Sequence, residues 1–157
     1  MAMSIAFRKS VWKEVGGYPD FSVGEDTNFV LKLSERRTKF AFAKDAIVYW
    51  RMRKNWREFF TQFYRYGKGD RITGNIWKMK GNLVYVIGFW TCILLLGTSL
   101  FFATPIFWTL MIIIFAYFLI GGMKIMLRSR RFKGFFYGMA FLFIKRIAYV
   151  LGVSFGK

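Results

Sequence analysis

Along this chain the apolar positions change their pattern near residue 80. Up to there they come in short runs broken by charge; beyond it they fuse into three long stretches. In the first part, Met3 to Arg8 reads as a short strand, and Lys9 to Val15 as one or two helical turns ending at Gly16-Gly17, where glycine suits a left-handed C-cap. A loop from Tyr18 to Gly24 carries Pro19 and Asp20. Glu25-Asp26-Thr27 then opens a helix to about Arg37, with Phe29, Val30 and Leu33 as its buried side. Phe40 to Phe42 and Ala46 to Trp50 predict two more short strands across a turn at Lys44-Asp45. Residues 1–54 therefore predict a small α/β unit, at roughly 50 residues too small to bury a stable core alone. We expect it to be the end of a larger domain.

From Asn55 to Tyr66, Trp56, Phe59, Phe60 and Phe63 fall at i, i+3, i+4 and i+7, an aromatic face suited to a helix lying on a bilayer surface. Residues 55–81 are thus expected to form an amphipathic interfacial helix and a basic linker. Asn82 to Ala103 is free of charge, and as a helix it covers roughly 33 Å, enough for the hydrocarbon core. Pro105 to Met123 repeats the pattern with only Thr104 between them, so residues 82–123 predict a transmembrane hairpin. Arg71, Lys78 and Lys80 precede it; Lys124, Arg128, Arg130, Arg131 and Lys133 follow it in a basic loop over residues 124–134. By the positive-inside rule both flanks, and the polar N-terminal region, are expected in the cytoplasm of a multi-pass cell-membrane protein.

The third membrane-associated helix, residues 135–157, differs because Lys145 and Arg146 interrupt it at its midpoint. Each costs ~2.5 to 3.5 kcal/mol at the centre of a span, against ~0.3 to 0.6 gained per Leu, Ile, Phe or Val. An interfacial position, with both bases toward phosphates, avoids that cost and is the expected one. A span would need the two charges to face a polar neighbour.

Charge sharpens the division. Of 25 Lys and Arg, seventeen lie before residue 81 with all eight acids; the remaining eight bases follow with no acid, and the formal net charge is +17. Concentrated beside membrane segments, the excess is explained by topology, and no nucleic-acid partner is expected; membrane lipids are. Histidine is absent and Cys92 is the single cysteine, which excludes disulfides within the chain, Cys/His zinc sites and serine-histidine triads. Charges at Arg8, Lys9, Lys13, Glu14 and Asp20 break any signal-peptide pattern at the start.

Two clusters carry candidate chemistry. Glu25-Asp26 is the only adjacent carboxylate pair. At a helix start it serves as a cap, or one carboxylate caps while the other faces a cleft as a general base. Gln62, Arg65 and Tyr66 share one helix face at i, i+3 and i+4. They form either a solvated flank or a ceiling over an active site, where an amide, a guanidinium and a ring hold an acceptor or a diphosphate.

The run SIAFRKSVWKEVGGYPDFSVGEDTNFVLKLSERRTKFAFAKDAIVYW resembles the C-terminal part of the catalytic domain of family 2 glycosyltransferases. QFYRYGKG followed by paired spans is similar to their membrane-anchored members. The strand at Met3 to Arg8, the pair Gly16-Gly17 before Tyr18, and Glu25-Asp26 occur together in that order in the family. The resemblance implies a small α/β remnant of a glycosyltransferase catalytic domain, with Asp26 as the base on an acceptor hydroxyl, Glu25 beside it, and Gln62, Arg65 and Tyr66 binding substrate. Residues 62–66 resemble the Q-x-x-R-W motif of processive members with tyrosine for tryptophan, and Trp50 stands where many members carry histidine. No D-x-D pair or glycine-rich phosphate loop is present. We therefore expect a C-terminal piece, truncated or split, of an inverting transferase that moves a sugar from a nucleotide-sugar to a lipid or glycan acceptor and is inactive alone. No metal site is expected in this chain, and a divalent Mg or Mn in the complete enzyme. The alternative is a small basic membrane protein without catalysis, an anchor or interaction subunit.

Overall fold

The computed structural model describes residues 4–20, 23–49, 51, 53–102 and 104–156. They form seven helices: α1 (Lys9–Glu14), α2 (Glu25–Glu35), α3 (Trp56–Ile72), α4 (Asn75–Lys78), α5 (Lys80–Phe102), α6 (Thr104–Ser129) and α7 (Lys133–Phe155). Among the described residues there is no strand, which corrects the α/β expectation. Residues 4–8 and 40–49 are loop and turn, although the turn at Lys44-Asp45 is present, with the Ala46 amide donating to the Ala43 carbonyl. Met3 and Trp50, the ends of two expected strands, lie outside the described residues. Alternation of side chains gives a segment the preference for extended backbone, but a strand exists only with a partner to take its hydrogen bonds. Phe42 and Tyr49 are 87% and 92% exposed, so no neighbouring layer covers these segments.

The first helices were legible in detail. At the end of α1 the Gly17 amide donates to the Trp12 carbonyl at 2.8 Å and the Gly16 amide to Lys13 at 3.1 Å, a Schellman pair with both glycines at positive φ. α2 buries Phe29 and Leu33 against Val15, while Val30 is half-buried. Phe29 also packs against the tilted rings of Phe7 and Tyr18, at 4.9 and 4.7 Å between ring centres.

Three helices, within Lys80–Ser99, Phe107–Ser129 and Lys133–Phe155, are long and apolar enough to cross a membrane. α6 runs six residues past Met123, so Lys124 and Arg128 are helical. α7 packs along α6 through small residues: a Cβ on Gly122 would approach the Phe135 carbonyl at 2.9 Å, and one on Gly138 would meet Ile125. Its other side takes α3. Phe59 and Phe63 contact Phe141 at 4.6 and 6.4 Å, so part of the aromatic face expected on lipid is covered by α7. Further along, a Cβ on Gly67 would overlap the Tyr149 carbonyl oxygen and one on Gly152 the Tyr64 carbonyl oxygen, so the two backbones touch. Arg71 donates to the Val153 and Ser154 carbonyls at 3.2 and 2.5 Å, and Trp90 to the Ser154 hydroxyl at 2.9 Å. The end of α7 therefore lies against the end of α3 and the middle of α5.

Candidate active site

The acidic pair sits where sequence placed it, on the first turn of α2. Gly24 precedes it in the left-handed region at φ 84°, which a side chain would strain. Asp26 Oδ1 accepts from the Thr27 amide at 2.7 Å, so this carboxylate does serve a first-turn donor, and it is half-buried beside a cavity as well. Two buried amides hold α2 to α4: Asn28 Nδ2 donates to Asn75 Oδ1 at 3.1 Å. Lys78 and Glu35 add an exposed ion pair at 2.7 Å.

α3 starts on a reciprocal cap between the side chains of Asn55 and Glu58. The Asn55 side chain accepts from the Glu58 amide at 2.8 Å and donates back to the Glu58 carboxylate at 2.9 Å. This fixes the turn from which Gln62 projects. Gln62 Nε2 donates to the Tyr66 hydroxyl at 2.6 Å, and Arg53 Nε donates to Gln62 Oε1 at 3.1 Å. The amide is therefore held from both ends. Gly69, one turn on, lets the loop before α2 lie on α3: a Cβ there would come within 2.8 Å of the Val23 side chain. The QFYRYGKG segment thus combines site side chains with two glycines that seat α7 on one side and the Asp26 loop on the other.

These contacts enclose two cavities that share one wall. The first, about 550 Å³, is lined by Glu25, Asp26, Gln62, Arg65 and Tyr66, so the five residues singled out from sequence converge on it; Arg53, Arg57 and Glu58 join them. The second, about 310 Å³, reaches toward the membrane helices and is lined by Asp26, Thr27 and Tyr66 with Asp70, Asn82, Tyr85, Lys145, Arg146 and Tyr149. Val23, Gly24, Asp26 and Tyr66 line both. Among the described residues no three His, Cys, Asp or Glu side chains converge to hold a cation.

Sequence reasoning missed Asp70 and Tyr149. The Tyr149 hydroxyl donates to Asp70 Oδ2 at 2.6 Å, joining α7 to α3 at the cavity floor. Burial, and then the nearby Asp26 charge, raise the Asp70 carboxyl above its usual range, against the opposing pull of the tyrosine hydrogen bond. The sequence signal was a lone acid between Gly69 and Arg71 in a segment already dense with site residues. Lys145 and Arg146 were conspicuous as charges in an apolar helix, but their surroundings were not legible. Lys145 lies over the Phe63 ring at 5.4 Å; Arg146 lies over Tyr85 at 4.2 Å and donates to the Tyr117 hydroxyl at 3.1 Å.

A family model described as glycosyl transferase family group 2 matches residues 4–123. The chain belongs to this family. Searches among curated proteins and among solved structures give no match. In this glycosyl transferase family 2 chain the matched stretch contains Glu25, Asp26, Gln62, Arg65 and Tyr66 and ends before α7 begins. Lys145, Arg146 and Tyr149, which complete the membrane-side cavity, lie outside it.

Proposed function

We propose that this chain is the acceptor-side and membrane-anchoring part of an inverting glycosyltransferase that moves a sugar from a nucleotide-sugar to a lipid or glycan acceptor at the cytoplasmic membrane face. The observation that carries the reading is the position of Asp26 in the wall between two cavities, one rich in arginine and the other bounded by membrane helices. Donor phosphates suit the first. Arg53, Arg57 and Arg65 there can offset the negative charge that develops as a nucleoside diphosphate departs. An acceptor hydroxyl entering from the second would meet the Asp26 carboxylate. As the hydroxyl oxygen attacks the anomeric carbon, Asp26 takes its proton, and the bond from that carbon to the phosphate oxygen breaks with its electron pair leaving on the diphosphate. Attack from the face opposite the leaving group inverts the anomeric centre. Gln62, clamped between Arg53 and Tyr66, acts as a positioning residue for this ceiling.

Recognition of the base, ribose and sugar belongs in this reading to a nucleotide-binding half, on the same or a separate chain, together with any divalent metal. The isolated chain is then expected to be inactive. The test supplies a matching nucleotide-binding half in membranes and measures sugar transfer: activity appears only with both parts, Asp26→Asn abolishes transfer while donor binding persists, and Glu25→Gln reduces it less. An unchanged rate in Asp26→Asn overturns the assignment of the base, and turnover by the isolated chain overturns the division of labour.

A further inference from the structure

The cavity on the membrane side of Asp26 holds two cations that the transfer chemistry above does not use. Lys145 and Arg146 project into it from the middle of α7, each half-buried. Neither forms an ion pair with a carboxylate among the described residues. Their contacts are instead with the rings of Phe63 and Tyr85 and the Tyr117 hydroxyl, which orient a cation without neutralising it. Two adjacent positive charges in an apolar helix are expensive unless an anion accompanies them. Asp70, the remaining acid of the cavity, is occupied by the Tyr149 hydroxyl and is pushed toward its neutral form by burial.

The level of the cavity indicates where the anion comes from. Its α5 contributors, Asn82 and Tyr85, fall in the first two turns of a helix that begins at Lys80, close to the end of an apolar span. Headgroup phosphates of a bilayer occupy that depth. At about 310 Å³ the cavity lies in the range of small-ligand pockets and can take a phosphate with a small polar group beyond it. Asp26 lies on the wall shared with the arginine-rich cavity.

We propose that Lys145 and Arg146 form an acceptor-anchoring site for the phosphate of a membrane lipid whose headgroup carries a hydroxyl beyond that phosphate. The clamp holds the phosphate while the hydroxyl extends toward Asp26. This rests on the proposed transfer reaction for its role, but the binding site stands on the cations and the cavity alone. It also lies on the one helix of the site that the family match does not reach.

The experiment measures lipid retained by the full chain purified from vesicles of phosphatidylcholine containing phosphatidylglycerol, by native mass spectrometry. Lys145→Gln/Arg146→Gln is expected to lower phosphatidylglycerol retention at least about tenfold, the order of one lost charge-assisted hydrogen bond. Lys145→Arg and Arg146→Lys, which keep the charge, retain it, as does Lys124→Gln/Arg128→Gln, whose bases lie exposed at the end of α6. Thermal unfolding of each variant in detergent identifies any that fail to fold, and the single substitution Lys145→Gln, also expected to lower retention, then carries the comparison against the exposed-base control. Glycerol phosphate in solution is the second arm: competition at millimolar levels equal to that of the lipid would assign the site to soluble phosphates and overturn the lipid source. Equal loss on removing Lys124 and Arg128, or none on removing Lys145 and Arg146, would overturn the site. Asp26→Asn separates the two proposals, since it should retain lipid fully even where the complete enzyme no longer transfers sugar.

Discussion

Single residues decide how close the helices of this molecule approach. Gly152 faces the Tyr64 carbonyl so tightly that a methyl group has no room, and the obstacle is backbone, which cannot rotate aside. Gly152→Ala should therefore destabilise the chain by about 1–3 kcal/mol, an overpacking cost, lowering the midpoint of thermal unfolding in detergent. Gly88→Ala is the control: nothing lies within 4 Å of a Cβ there, so its effect should stay within about 1 kcal/mol and favour stability through helix propensity. Asp70 gives a pH-dependent prediction. Folding raises its pKa above 3.8, so the folded state binds more protons than the unfolded state from 3.8 upward to the raised value, and stability falls as pH rises through that window. Asp70→Asn keeps an acceptor for Tyr149 and removes the ionisation. It should unfold at a higher temperature than the parent at neutral pH, and the difference should shrink as pH falls toward 3.8.

At the scale of elements, what could be read from sequence was what neighbouring residues settle among themselves. The glycine pair that stops α1, the start of α2 and the two helices of the hairpin follow from local capping, spacing and hydropathy. Extended segments could not be settled that way, since the partner of a strand lies elsewhere in space. The candidate site was half legible for the same reason. Gln62, Arg65 and Tyr66 share a helix face by spacing alone; their meeting with Glu25 and Asp26 depends on Gly69, which admits the Val23 loop, and this requires the fold. Asn55 and Glu58 had a readable spacing, and their reciprocal hydrogen bonds set the first turn of α3. Asn55→Ala should cost about 1 kcal/mol through the lost cap. In assays of the complete enzyme it should also loosen the Arg53–Gln62–Tyr66 chain beside the arginine-rich cavity, seen as a raised donor KM with the acceptor KM unchanged.

For the whole molecule, topology is the claim on which the proposed chemistry depends, because nucleotide-sugars are cytoplasmic. A cysteine at Thr104 should react with impermeant reagents from outside and one at Ser129 only from the cytoplasm. An α7 lying in the interface with Lys145 and Arg146 toward phosphates keeps both its ends on the cytoplasmic side, so a cysteine at Phe155 should also label only from the cytoplasm. Labelling of Phe155 from outside would make α7 a third crossing. The reverse pattern at Thr104 and Ser129 would put the proposed site on the side away from nucleotide-sugars and overturn the proposed function.

The contact of Gly67 with α7 also has a consequence for biogenesis. Its covering surface, around Tyr149 and Val153, leaves the ribosome only after α3 and the hairpin. During synthesis α3 must wait with Phe59 and Phe63 uncovered while the hairpin inserts, and the bilayer surface is the natural place for an aromatic helix to wait. The interfacial character of α3 then belongs to the nascent protein, and α7 replaces lipid as its partner once it has emerged. A chain stopped after Arg131 should insert its hairpin normally yet expose α3 to protease, whereas the full chain protects it.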